Sequence, residues 1–168
     1  MGHMAGKQDK ILESFYEYPR ERFTIRKIAK VTKIPKSTVQ EYVKSLKKNK
    51  LITEDNKSSS SLLFKTKKTN YFIEKIILSG LINYIVEKLN PSCVILFGSF
   101  RKGESEKDSD IDLFIESSME KNLVLAKFEK ILKHKVDLHI KKDIHNLPNE
   151  LLNNVVNGIK IYGSFTVK

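Results

Sequence analysis

Cysteine is nearly absent: the 168 residues include one, Cys93. A single thiol closes no disulfide framework, and a reducing cytosol is the natural setting for such a chain. Cys93 lies in an apolar run, where a buried structural thiol is expected rather than a nucleophile. Long hydrophobic runs are also missing. No stretch approaches the ~20 apolar residues of a membrane span, and no charged-then-apolar leader opens the chain. A cytoplasmic protein without membrane contact is therefore expected. Met1-Gly2-His3 reads as a cloning remnant and is set aside. His134, His139 and His145 lack the compact spacing of a zinc set, even with Asp137 counted among them. They read as surface or strand histidines, and no Ser-His-Asp pairing is suggested.

Negative charge is in deficit: 20 acidic residues face 31 basic ones, for a net +11. The imbalance is local. Residues 1–68 hold 17 of the basic and 7 of the acidic side chains, a net +10 that leaves +1 for the remainder. A polyanion-binding module joined to a nearly neutral one is the physical expectation. Each half is close to the lower size at which one core suffices.

The apolar spacing is helical first. Ile11, Leu12 and Phe15 share a face, and Tyr18-Pro19 ends that segment. Thr24 suits an N-cap for a short helix turning Ile25, Ile28 and Ala29 inward. After a turn at Thr32-Lys33 a third helix starts with Pro35 at its first position, or with a Ser37/Gln40 capping box. It buries Val39, Tyr42, Val43 and Leu46. Leu51–Thr53 and Leu62–Phe64 read as two short strands around a polar tip, Glu54–Ser61, that ends in four serines. One long helix is expected from Asn70 to Leu89, stopped by Asn90-Pro91, with a domain boundary near Lys67-Lys68.

The pattern then alternates. Strands are expected at Cys93–Phe97, Ile111–Ile115, Lys135–Ile140 and Ile159–Tyr162. Helices are expected at Asn122–Leu132 and Pro148–Val156, the latter closed by Gly158 as C-cap. The fold class is α+β, with a mixed sheet flanked by helices in the second half.

Within that half the first strand runs into Gly98-Ser99, where the missing side chain allows a ligand to approach the backbone. A helix starting there would offer free N–H groups, and the Ser99 hydroxyl, to phosphate. Asp110 and Asp112 flank Ile111, so alternation puts both carboxylates on one side with Cα atoms about 6.5 Å apart. Like charges that close need compensation, and Mg²⁺ with substrate phosphates supplies it. Asp137, in Val136-Asp137-Leu138, can add a third carboxylate. Two such ions would clamp the attacking and leaving oxygens of a phosphoryl displacement.

These residues resemble the DNA polymerase β-like nucleotidyltransferase superfamily, and most closely its minimal nucleotidyltransferases. Gly98-Ser99 is followed by ten residues and then Asp110-Ile111-Asp112-Leu113. Lys102-Gly103, Asp108-Ser109 and the ending from Glu150 to Tyr162 are also similar, so the resemblance covers about residues 70–163. It implies that Gly98 and Ser99 bind the triphosphate of ATP or another NTP, with Arg101 and Lys102 near phosphate. Arg101 stands where the family often has a small residue. Asp110 and Asp112 would hold two Mg²⁺, and Asp137 would bind one of them and help activate the acceptor hydroxyl. The implied activity moves a nucleoside monophosphate, AMP in the first instance, onto a hydroxyl of a protein, a nucleic acid or a small molecule. An antitoxin-like role with a separate toxin-like partner belongs to the same implication.

Residues 9–66 are similar to winged helix-turn-helix modules, with Thr24–Ala29, Ser37–Leu46 and Leu51-Ile52 as the matching segments. That likeness implies DNA as partner and points Lys36, Ser37, Thr38, Gln40, Glu41 and Lys44 at the major groove. Gln40 would read a base edge while the lysines pair with phosphates. Lys57, Lys65, Lys67 and Lys68 would add backbone contacts, and a homodimer is a further expectation. The domains expected are thus 7–68, DNA-binding, and 69–168, nucleotidyltransferase. A second function class remains open: a transcription regulator whose C-terminal domain only senses nucleotide.

Overall fold

The computed structural model describes residues 6–119 and 121–166; Met1-Gly2-His3 lies outside them. The chain divides into two units, 1–68 and 69–168.

In the first unit, three helices pack together: α1 (Lys7–Glu17), α2 (Ile25–Thr32) and α3 (Lys36–Lys48). Thr24 accepts a hydrogen bond from the Lys27 N–H (3.2 Å) and so caps α2. Lys33, in the left-handed conformation, ends it. Pro35 stands at the N-cap of α3 without a side-chain bond, so the Ser37/Gln40 capping box does not form. Ile11, Phe15, Phe23, Ile28, Val39, Val43 and Leu46 fill the core, and the Phe15 and Phe23 rings meet edge to face at 4.9 Å.

Three expectations fail at the end of this unit. Leu62–Phe64 is no strand; it opens α4 (Leu62–Leu78). The cause is Ser61, whose hydroxyl accepts from the Phe64 N–H (3.3 Å) and whose carbonyl accepts from the Lys65 N–H (3.0 Å). The last serine of the run is thus a helix cap rather than part of a hairpin tip. Antiparallel pairing shrinks to a single bridge, Ile52 to Ser58, closed by the Thr53 N–H bond to the Lys57 carbonyl. Lys68, expected to touch a backbone phosphate, is 1% exposed and belongs to the interior.

The expected long helix is also broken. Gly80 has φ +80°, and α5 (Leu81–Leu89) starts after it. Ser79 supports the break by donating to the Ile76 carbonyl and accepting from the Leu81 N–H. An apolar pattern continues through the break, but a left-handed glycine ends the helical ladder.

The second unit contains β1 (Cys93–Leu96), α6 (Gly98–Lys102), β2 (Ile111–Glu116), α7 (Ala126–Leu132), β3 (Val136–Lys141), α8 (Asn149–Val156) and β4 (Ile159–Gly163), with a 3-10 turn at Ile144–Asn146. The sheet order is β3-β2-β1-β4. β2 pairs antiparallel with β1 and parallel with β3, which α7 separates from it in sequence. One face carries Cys93, Ile95, Phe97 and Phe114 against Ile144, Leu147 and Val155. Val94, Leu96, Leu113 and Ile115 alternate to the other face and are also fully buried. A sheet covered on both sides explains why β1 and β2 read as near-continuous apolar runs. α7 begins four residues later than expected, at Ala126.

Gly158 is no left-handed cap; Asn157 is the C-cap of α8. Its glycine is required by space, because a Cβ there would overlap the Ile95 side chain and stand 2.8 Å from the Leu96 carbonyl oxygen. Gly158→Ala is therefore expected to destabilise the chain by about 1–3 kcal/mol. Urea unfolding at 25 °C, compared with the parent chain, measures it.

Candidate active site

The register of the parallel pair does the assembling. Asp112 on β2 stands beside Asp137 on β3, and Phe114 stands beside His139. Paired residues project to the same side, so Asp112, Asp137 and His139 converge on one face. A donor atom from each lies within 4.8 Å of the others. His139 Nε2 is 3.2 Å from Asp137 Oδ2. Asp110 precedes β2 on the same alternation, solvent-exposed, and stands outside this trio.

Gly98 fits between these parts. Its φ is +68°, which strains any side chain. A Cβ there would overlap Asp112 Oδ2, so the carboxylate occupies the place where a side chain would be. The Phe97 N–H donates to the Asp112 carbonyl (3.1 Å), locking the turn to β2. α6 begins at Gly98, as expected, and carries Ser99, Arg101 and Lys102. Ser99 and Arg101 are half-buried; Lys102 is exposed.

Aromatic packing anchors that turn. Phe100 meets the Phe72 ring at 4.7 Å and the His134 ring at 4.9 Å, and the Thr69 hydroxyl donates to the Phe100 carbonyl. His134 Nδ1 lies 3.0 Å from the Ser109 carbonyl oxygen. A carbonyl only accepts, so Nδ1 carries the proton. The next residue but one, Ile111, donates its N–H to the Lys135 carbonyl (2.9 Å). Asp110 is thus held between two backbone anchors.

Charge in the site is poorly compensated by protein alone. Burial pushes the Asp112 carboxyl above the ordinary carboxylate range; the Asp137 charge adds to this, His139 opposes it and Asp110 adds again. A raised carboxyl means the ionised form is disfavoured by its surroundings. The site fits a divalent cation on chemical grounds: two converging carboxylates, a third close by, and an excess of negative charge that a cation would relieve. Cys93, on the same sheet face, is fully buried, and burial first of all pushes its thiol up to about 11. It is a structural thiol.

Two of the three sequence-predicted aspartates come together here, and Asp110 lies at the rim. His139, by sequence an ordinary strand histidine, belongs to the cluster. The signal available was its place two residues after Asp137 in a strand, which puts both on one face. On α3, Lys36, Ser37, Gln40, Glu41 and Lys44 are exposed and Thr38 is half-buried.

The family described as "Nucleotidyltransferase domain" matches residues 78–162. The chain is also 42% identical over 67 residues to a Methanocaldococcus jannaschii protein named as a protein adenylyltransferase, a match covering 36% of this chain and 67% of that protein. No helix among the described residues is long and apolar enough to cross a membrane.

The raised Asp112 carboxyl has a stability consequence. A group whose pKa rises on folding favours the folded state at low pH and opposes it as pH climbs from about 4 through the raised value. Without divalent ions, Asp112→Asn is expected to raise the thermal midpoint at pH 7, with the gain fading toward pH 4. Thermal unfolding in EDTA across that range checks both the sign and the window.

Proposed function

The chain belongs to the nucleotidyltransferase family, and we propose that it is a Mg²⁺-dependent enzyme that moves AMP from ATP onto a hydroxyl of a protein side chain. Nucleotidyl transfer itself follows from the family. The observation that carries the finer reading is the convergence of Asp112 and Asp137 beside Gly98. A protein acceptor and an adenylyl group are favoured by the name of the archaeal relative; a nucleic acid or a small molecule is the alternative acceptor.

In this reading Asp110, Asp112 and Asp137 would hold divalent ions, which would supply charge neutralisation for the phosphates and acidify the acceptor hydroxyl. The chain's own residues do the rest. Gly98 leaves its side-chain space to the Asp112 carboxylate, and Ser99 donates its hydroxyl to a phosphate oxygen. Lys102 and Arg101 add positive charge near the phosphates. Asp137 accepts the proton of the attacking hydroxyl as its oxygen bonds the α-phosphorus, the α–β anhydride bond breaks and pyrophosphate leaves. Few further groups are required, because phosphoryl transfer is mainly positioning and electrostatics.

Incubation with α-labelled ATP, Mg²⁺ and cell extract tests the activity. The parent chain is expected to label a macromolecule, and Asp112→Asn to reduce labelling more than about 100-fold, since several kcal/mol of charge stabilisation is lost. Tight ATP binding without transfer, in the parent chain, would instead indicate a regulator that only senses nucleotide. An antitoxin-like role predicts that the labelled band is a separate toxin-like protein.

The N-terminal unit is proposed as the DNA-binding part, a helix-turn-helix presenting α3 to the major groove. Its support is the +10 charge of residues 1–68 and the exposed polar face of α3. Lys36 and Lys44 contact phosphates and Gln40 a base edge. Gel retardation provides the test. Lys44→Ala is expected to weaken binding to all sequences and to reduce the salt slope by about 1, whereas Gln40→Ala relaxes preference at one position by about 1–3 kcal/mol. A homodimer would show as a palindromic preferred site.

A further inference from the structure

His139 is the group at this site for which the proposed transfer has no use. Packing and an acidic neighbour orient its ring. The Phe97 ring stands 5.2 Å from it at 65°, an edge contact that leaves Nε2 facing Asp137 Oδ2 at 3.2 Å. A hydrogen bond to Asp137 would explain that distance alone. The β2–β3 register adds Asp112 from the neighbouring strand, which brings a donor within 4.8 Å of both. Oxygen ligands stand about 2.1 Å from a Mg²⁺ ion, hence about 3 Å apart when cis and about 4 Å when trans. One ion therefore reaches all three groups after small side-chain adjustments.

We infer that His139 is a metal ligand: one cation position is held by Asp112, Asp137 and His139 Nε2, and its nitrogen donor gives Mn²⁺ preference over Mg²⁺. This rests on the reading of Asp112 and Asp137 as cation ligands above, adds a third ligand to it, and puts Mn²⁺ in place of Mg²⁺ as the preferred ion at this position. The preference follows from donor chemistry. Mg²⁺ favours oxygen and sheds water reluctantly, whereas imidazole raises affinity for first-row transition ions. Charge agrees: two carboxylates and a neutral imidazole are balanced by one divalent ion, while three carboxylates would leave an excess. Asp110, outside the trio, remains for an oxygen-only position.

Mn²⁺ alone, added to the full chain and followed by electron paramagnetic resonance, tests the inference. The parent chain is expected to bind Mn²⁺ at least about 10-fold more tightly than Mg²⁺ measured by competition. Its electron spin-echo modulation is expected to show coupling to one ¹⁴N. His139→Gln should remove that coupling and weaken Mn²⁺ at least about 10-fold while moving Mg²⁺ less than about 2-fold. Mn²⁺ bound without ¹⁴N coupling in the parent chain overturns the inference and needs no variant, so a folding defect in His139→Gln does not blur it. The parent reading fails separately: Mn²⁺ affinity unchanged in Asp112→Asn would place the cation elsewhere and remove the metal site from this cluster.

Discussion

Everything at the site depends on one register, the parallel pairing that sets Asp112 beside Asp137. Two carboxylates on neighbouring strands repel each other, and the partial burial of Asp112 makes its charge costlier still. The surrounding structure holds them in place. β2 is buried on both faces, paired on both edges and tied through the Phe97 N–H to the turn at Gly98. That turn is in turn fixed by the Phe72, Phe100 and His134 rings and by Thr69. The core thus carries the cost of a charged cluster that His139 offsets only in part. Such stored electrostatic strain is common where a cation and a polyphosphate are to be bound.

The same constraint explains Gly98. In a sheet with closely packed strands, an aspartate with its carboxylate directed at the end of the neighbouring strand needs an empty place there. Only glycine leaves one, and its φ of +68° also turns the chain into α6. The Gly-Ser and Asp-x-Asp segments of the motif are therefore one structural unit, although about ten residues separate them in the chain.

Much of this was legible in the sequence because it is encoded locally. The alternation around Ile111 put Asp110 and Asp112 on one side, the apolar runs marked four strands, and Thr24 announced α2. What failed was encoded by single side chains acting against an apolar pattern. Ser61 caps α4 where Leu62–Phe64 looked like a strand, and Gly80 breaks a helix whose hydrophobic stripe continues past it. Gly158 had the right residue type for a cap, but its reason is close packing against Ile95 and Leu96. His139 was missed for a different cause. Its spacing from Asp137 puts both on one face of β3, but Asp112 joins them from β2 through the β2–β3 register, a long-range property that spacing along one strand does not reveal.

A crystal structure with Mn²⁺ and a non-hydrolysable ATP analogue tests the central claim most directly, through anomalous scattering. The account predicts a metal peak bridging the Asp112 and Asp137 carboxylates, with the triphosphate running over Gly98 and Ser99. A metal and triphosphate bound on another face of the sheet, with both carboxylates unligated, would contradict it.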